Sequence, residues 1–192
     1  MRVAITGKIG SGKSAVLEIL QKNGDSVFSA DKIYADLLEK NADFVIEISE
    51  KMGIKAKICN GKISLDRKKI AEIIFLDDEK RKELNLLTHG KVMQELVKLS
   101  EGEELCFCEI PLLAEIDEPQ KFFDEVWVVE RDKEEQIKAI MQRDNVDYRF
   151  ALKKINGQKK YVINSKIKHT VIYNDKSLSE LEKRVLSYAE NL

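Results

Sequence analysis

Residues 7–14 read Gly7-Lys8-Ile9-Gly10-Ser11-Gly12-Lys13-Ser14, and this one stretch restricts the fold more than anything else in the chain. It fits G-x-x-x-x-G-K-[ST], the P-loop pattern, which works only between a strand and a helix. Both neighbours are present. The apolar run Val3-Ala4-Ile5 precedes the motif, and Ala15-Val16-Leu17-Glu18-Ile19-Leu20 follows with the apolar density of a helix. Glycines let the backbone turn tightly enough to aim several N–H groups at one centre, where the following helix adds its positive end. The cradle read in this way comprises Gly7, Lys8, Ile9, Gly10, Ser11, Gly12, Lys13, Ser14 and Ala15. Lys13 is expected to reach the β and γ phosphates of a bound nucleotide, and the Ser14 hydroxyl to ligate Mg²⁺.

A chain of 192 residues holds one α/β domain with insertions. Its 33 basic and 34 acidic residues leave a net charge of −1, which argues against a general nucleic-acid binder and makes any anion site a local one. Apolar runs are only a few residues long, so no membrane span is expected and the reading places the protein in the cytoplasm. Cys59, Cys106 and Cys108 contain no C-x-x-C, so neither a disulfide framework nor a zinc site is indicated. Cys106 and Cys108 are expected to fill one strand face.

Further along, Asn23-Gly24 reads as a helix stop, and Ser26-Val27-Phe28-Ser29-Ala30 as a second strand ending at Asp31. Two roles fit Asp31: a carboxylate at the ligand-binding edge of a parallel sheet, or the N-cap of a helix starting at Lys32. Residues 33–100 are mostly helical in pattern, with periodic stretches at 42–52, 65–76 and 81–99 and an Asn60-Gly61 turn suggesting a small hairpin. Such a stretch reads as an inserted subdomain for a second substrate. It carries Arg67 and His89, which suit either an anionic ligand or a purely structural place. Leu105-Cys106-Phe107-Cys108-Glu109 reads as a buried strand, with Glu109 as either a Mg²⁺-holding acid or a charged strand end. Glu125-Val126-Trp127-Val128-Val129-Glu130 is the fourth strand, Asp132 and Glu135 are spaced as a capping box before a helix through Arg143, and Thr170-Val171-Ile172-Tyr173-Asn174 is the fifth strand. Ser177 and Glu180 cap the last helix. Residues 153–168 hold six lysines and no acid: a solvated basic surface, or a lid over phosphates.

A regulatory GTPase needs N-K-x-D and D-x-x-G, and neither string occurs. What remains is a small kinase. Its motifs resemble one family in order and over nearly the whole chain: the P-loop, Ser29-Ala30-Asp31 with Ile33-Tyr34-Ala35, Leu65-Asp66-Arg67, Ile74-Phe75, His89, Pro111-Leu112-Leu113-Ala114-Glu115, Gln136, Arg143-Asp144, Gln158 and Asn174. The chain so read is similar to dephospho-CoA kinase. That resemblance implies a P-loop NTPase fold of the nucleoside-kinase type, a five-stranded parallel sheet in a single domain over residues 1–192, with a helical CoA-binding subdomain at about 32–100 and a lid at about 144–168. It implies transfer of the ATP γ-phosphate to the ribose 3′-hydroxyl of dephospho-CoA, with ATP and Mg²⁺, in a monomer or weak homo-oligomer. Carried over, Asp31 matches the base, Lys13 and Ser14 the phosphate and metal ligands, Arg143 an arginine on the ATP phosphates and Asn174 a nucleotide-side residue, while Arg67 and His89 match substrate motif positions. The alternatives are a P-loop kinase with another acceptor, and a nucleotide-binding scaffold without turnover. The chain departs from the family pattern at Ser29 and Gly90, where the family usually has Asp and Pro, at Ala139, where an arginine is common, and at Lys168-His169, in place of Ala-Asp.

Overall fold

In the computed structural model the chain runs β1 (Arg2–Thr6), α1 (Lys13–Asn23), β2 (Ser26–Ser29), α2 (Ala30–Lys40), α3 (Ala42–Met52), β3 (Lys57–Cys59), β4 (Lys62–Ser64), α4 (Arg67–Leu76), α5 (Asp78–Leu99), β5 (Cys106–Glu109), β6 (Glu125–Glu130), α6 (Lys133–Asp144), α7 (Tyr148–Gly157), β7 (Lys168–Tyr173) and α8 (Leu178–Ala189). The structure describes residues 1–59 and 62–192, the side chains of Cys59, Lys62 and Arg67 apart. Two compact units emerge: Met1–Ser29 with Ser100–Leu192, and Ala30–Leu99.

The first unit is built on a five-stranded sheet ordered β2-β5-β1-β6-β7, with every pairing parallel. β1 is central because its residues are apolar on both faces: Val3, Ala4 and Ile5 are all fully buried. On one face Val3, Ile5, Phe107, Trp127, Val129 and Ile172 pack with Val16, Leu17 and Leu20 of α1 and with Leu181 and Val185 of α8. The opposite strand positions include Cys106 and Cys108, whose buried Sγ atoms lie 4.0 Å apart, so both cysteines occupy one strand face as their spacing requires. A second cluster of Ile137, Ile140, Ala151 and Ile155 joins α6 to α7. Chain order along the sheet reverses at β1, which places the residues after β1 at the switch point where open parallel sheets bind ligands.

The second unit is helical around α5, against which α2, α3 and α4 all pack. α3 is capped by Asn41, whose side chain accepts the Phe44 N–H at 3.0 Å, and it ends at Gly53 with φ +66°. β3 and β4 pair as the expected small hairpin; its Asn60-Gly61 turn lies outside the described residues.

Several element ends, and one cap, differ from the sequence reading. β2 stops at Ser29 and α2 begins at Ala30, so Asp31 sits in the first helical turn and does not cap a helix from outside it. β7 starts two residues early, at Lys168, because Lys168 and His169 pair in register with Glu125 and Val126. Asp132 caps α6 by accepting from the Glu134 and Glu135 N–H groups, but the Glu135 carboxylate is drawn to Lys138 and Arg131, so only half of the expected capping box is in place. The box at Ser177 and Glu180 is complete.

Candidate active site

The loop between β1 and α1 wraps the carboxyl end of the central strand. Gly12 precedes α1 with φ +98°, and a Cβ there would run into the Asn174 side-chain nitrogen. Gly10, at φ +78°, has the Gln136 carbonyl 2.7 Å from where a Cβ would sit. Both positions therefore require glycine for conformation and for space. Lys13 Nζ lies back over the loop and donates to the carbonyls of Gly7 at 2.9 Å and Lys8 at 3.2 Å. The Ser11 and Ala15 N–H groups are engaged by Lys8 and Gly12 carbonyls, both at 3.1 Å. Ser14, the second residue of α1, is exposed at the positive end of that helix.

Side chains from distant segments fix this loop. Asn174, just past β7, donates from Nδ2 to the Ser11 carbonyl at 2.9 Å. Gln158, just past α7, accepts the Ile9 N–H on Oε1 at 2.7 Å. The Ile9 side chain packs on the α6 and α7 cluster. Among the described residues the fully buried Ser11 hydroxyl finds no hydrogen-bond partner, which leaves a polar atom inside the cradle for a ligand or water to satisfy. Next to the loop opens a cavity of about 280 Å³, whose walls include Gly7, Lys8, Pro111, Gln136, Gln158 and Lys160. Glu130 at the end of β6 pairs with Lys160 at 3.5 Å.

Glu109 ends β5 in register with Ile5 of β1 and Ser29 of β2, so its carboxylate lies on the edge from which the phosphate loop springs. Its Oε2 accepts the Ser29 hydroxyl at 3.1 Å. The fit to Mg²⁺ is that of a hydroxyl and a carboxylate, both oxygen donors, beside a cradle shaped for phosphate, and such donors suit a hard cation. Among the described residues no group of three or more His, Cys, Asp or Glu side chains converges to bind a metal without that phosphate.

Arg143 lies two helical turns beyond Gln136 on α6, exposed, with Nε and Nη2 on the two carboxylate oxygens of Asp144 at 2.7 and 3.1 Å. Asp144 also receives Lys154 at 2.8 Å. Arg143 first, then Lys154, holds the Asp144 carboxyl well below the usual carboxylate range. Of the basic run, Lys154 is thus paired with Asp144, Lys160 with Glu130 and Lys168 with Glu125. Asp31, Arg67 and His89 belong to the other unit, on α2, α4 and α5. His89 is half-buried there, and the Arg67 side chain lies outside the described residues. Gln136 and Gln158 are motif positions to which the sequence alone attaches no role. Nothing local marks them, since Gln158 stands 149 positions from the N–H group it serves.

A family model for dephospho-CoA kinase matches residues 1–180. The chain belongs to the dephospho-CoA kinase family. A dephospho-CoA kinase of Fusobacterium nucleatum is 37% identical over 196 residues, covering 100% of this chain and 98% of that protein. One of Listeria innocua is 34% identical over 193 residues, covering 98% and 95%. Among solved structures, the dephospho-CoA kinase from Campylobacter jejuni superposes with a TM-score of 0.68 at 27% identity, covering 98% of this chain and 95% of that one. The deoxyadenosine kinase of M. mycoides, at a TM-score of 0.54 and 14% identity, shares the fold. The family is one of phosphotransferases, and the sheet with its flanking helices is that of P-loop kinases.

Proposed function

We propose that this protein transfers the γ-phosphoryl group of ATP to the ribose 3′-hydroxyl of dephospho-CoA, giving coenzyme A and ADP. The observation that carries the reading is the phosphate loop itself, with Lys13 poised over it, in a chain whose family match runs from residue 1 to 180. Phosphoryl transfer asks for positioning and charge stabilisation rather than covalent catalysis. Lys13 exchanges the Gly7 and Lys8 carbonyls for β and γ phosphate oxygens. Ser14 and Glu109 would hold Mg²⁺, which would supply positive charge to offset that of the phosphates. Arg143 adds charge from α6, and Asn174 keeps the loop in shape. Asp31 takes the proton of the 3′-hydroxyl as that oxygen bonds to phosphorus and the bond to the β-phosphate oxygen breaks. The unit Ala30–Leu99, with Arg67 and His89, holds dephospho-CoA, and residues 144–168 form the lid.

Among the described residues no helix is long and apolar enough to cross a membrane. With a net charge of −1, the protein is read as a cytoplasmic enzyme that needs neither membrane nor nucleic acid, monomeric or weakly self-associating. An acceptor screen tests the reading. ADP release is expected with dephospho-CoA and not with nucleoside monophosphates. Release with a nucleoside monophosphate alone would move the protein to another kinase activity, and ATP binding without transfer to any acceptor would make it a scaffold.

A further inference from the structure

Gln158 makes two contacts that join three parts of the first unit. Its Oε1 accepts the Ile9 N–H at 2.7 Å, and its Nε2 reaches the Pro111 carbonyl at 3.5 Å. Ile9 lies at the tip of the phosphate loop, and Pro111 in the turn after β5. Gln158 is itself the first residue after α7 and the start of residues 158–167, which have no regular structure before β7. One helical turn earlier, Ile155 of α7 is buried in the cluster that receives the Ile9 side chain. The loop is therefore held twice, through the Ile9 side chain by the α6 and α7 cluster and through its backbone by Gln158. This N–H is partly buried, so losing its partner has a cost, and the end of α7 is tied to Ile9. Beyond Gln158 come Lys159 and Lys160, two of the walls of the cavity beside the loop. Lys160 pairs there with Glu130 at 3.5 Å and is largely exposed, a contact that holds the segment weakly.

We infer that Gln158 is a positioning residue that couples the phosphate loop to residues 159–167, so that both become ordered together when nucleotide binds. The inference rests on the proposed ATP binding and adds to it how an occupied loop is felt by the basic segment. It assigns Gln158 no contact with the reacting atoms. Its oxygen fixes the direction of the Ile9 N–H, and its backbone fixes where the two lysines begin.

Hydrogen exchange followed by mass spectrometry, with and without a non-hydrolysable ATP analogue and Mg²⁺, reads the coupling on the parent and on Gln158→Met. Methionine keeps the length of the side chain and removes both hydrogen bonds. In the parent the analogue is expected to slow exchange in residues 7–14 and in 159–167 alike. In Gln158→Met it slows 7–14 but no longer 159–167, and KM for ATP rises about two- to tenfold, the worth of one hydrogen bond. Parent-like exchange in β1 and β6 without ligand shows that the variant is folded, and general loosening of those strands would make Gln158 a structural residue and overturn the inference. So would joint slowing in the variant at an unchanged KM, or slowing confined to 7–14 in the parent, and both results leave ATP binding intact. No slowing at 7–14 in the parent would remove the nucleotide reading and the coupling with it.

Discussion

Lys13 and Asp31 show how differently two site residues can be written into a chain. Lys13 is legible because the motif dictates its place, and the structure adds its resting state, bound to two carbonyls of its own loop at 2.9 and 3.2 Å. Lys13→Ala leaves those carbonyls on a half-exposed edge where water replaces the ammonium, so the unfolding free energy should fall by no more than about 1 kcal/mol. Turnover should fall by roughly 10²–10³-fold or more, as for loss of a charge-stabilising donor. Steady-state ADP release with dephospho-CoA checks this, and parent-like turnover would overturn the central assignment. Asp31 was ambiguous in sequence because Asp both caps helices and binds ligands. Its place inside the first turn of α2 removes the cap and leaves only a favourable charge at the helix start, worth about 0.3–1 kcal/mol. Asp31→Asn should therefore lose little stability and keep ATP affinity, while turnover drops by about 10²–10⁴-fold if the carboxylate is the base. Undiminished turnover in this variant would end the catalytic reading, and lost ATP affinity would point to a metal-holding role. Gln158 marks the opposite limit, since an amide bonding across the fold has no local signature.

Elements were legible where one local rule decided them. β6 was read with its observed bounds because its run is apolar on both faces, and α1 ends at Asn23 because Gly24 takes φ +96°. Elements decided by tertiary pairing were not. β7 extends back to Lys168 only because Glu125 stands opposite, and α2 starts at Ala30 although nothing in Ser29-Ala30-Asp31 marks the turn from strand to helix. The Glu135 half of a capping box was lost to two cations, Lys138 and Arg131, that a two-residue spacing rule does not see. At Ser177 the box is whole, with Ser177 Oγ accepting the Glu180 N–H and Glu180 returning to the Ser177 N–H, both at 3.3 Å. Ser177→Ala should cost about 1 kcal/mol and lower Tm by roughly 2–4 °C in a chain of this size. α8 packs on α1 through its apolar face, away from the cap, so KM for ATP should stay at the parent value. Calorimetry and kinetics on one preparation test both halves, and an unshifted Tm would show that the cap adds nothing to the helix in the folded protein.

At the scale of the molecule, the parallel sheet and the interrupting helical stretch were legible as alternating patterns, whereas the closing of the sheet's β6–β7 edge around a buried acid was not. Glu125 is 1% exposed, and one of its oxygens receives the Trp127 indole N–H at 3.0 Å and the Thr170 hydroxyl at 2.5 Å, while Lys168 Nζ lies 2.7 Å from the other. Burial pushes its carboxyl up, but Lys168, Thr170 and Trp127 together outweigh burial and leave it below its ordinary value of 4.5. The sign of the linkage follows. The unfolded chain binds the proton more tightly, so this carboxylate contributes stability that is fully present above pH 4.5 and is lost as pH falls through the lower folded value. Glu125→Gln keeps the shape and removes the charge and the titration. At pH 7 it should lower the unfolding free energy by about 1.5–3 kcal/mol, the range for hydrogen bonds to a charged group. The gap should narrow as pH drops below 4.5, because the parent loses this contribution and the variant has none to lose. Urea titrations of both proteins at intervals from pH 7 to about pH 3 give the two curves. Parallel curves would mean that the acid sensitivity of this protein lies in other carboxylates, and that β7 is held to β6 by its backbone ladder and apolar contacts, not by the charge at Glu125.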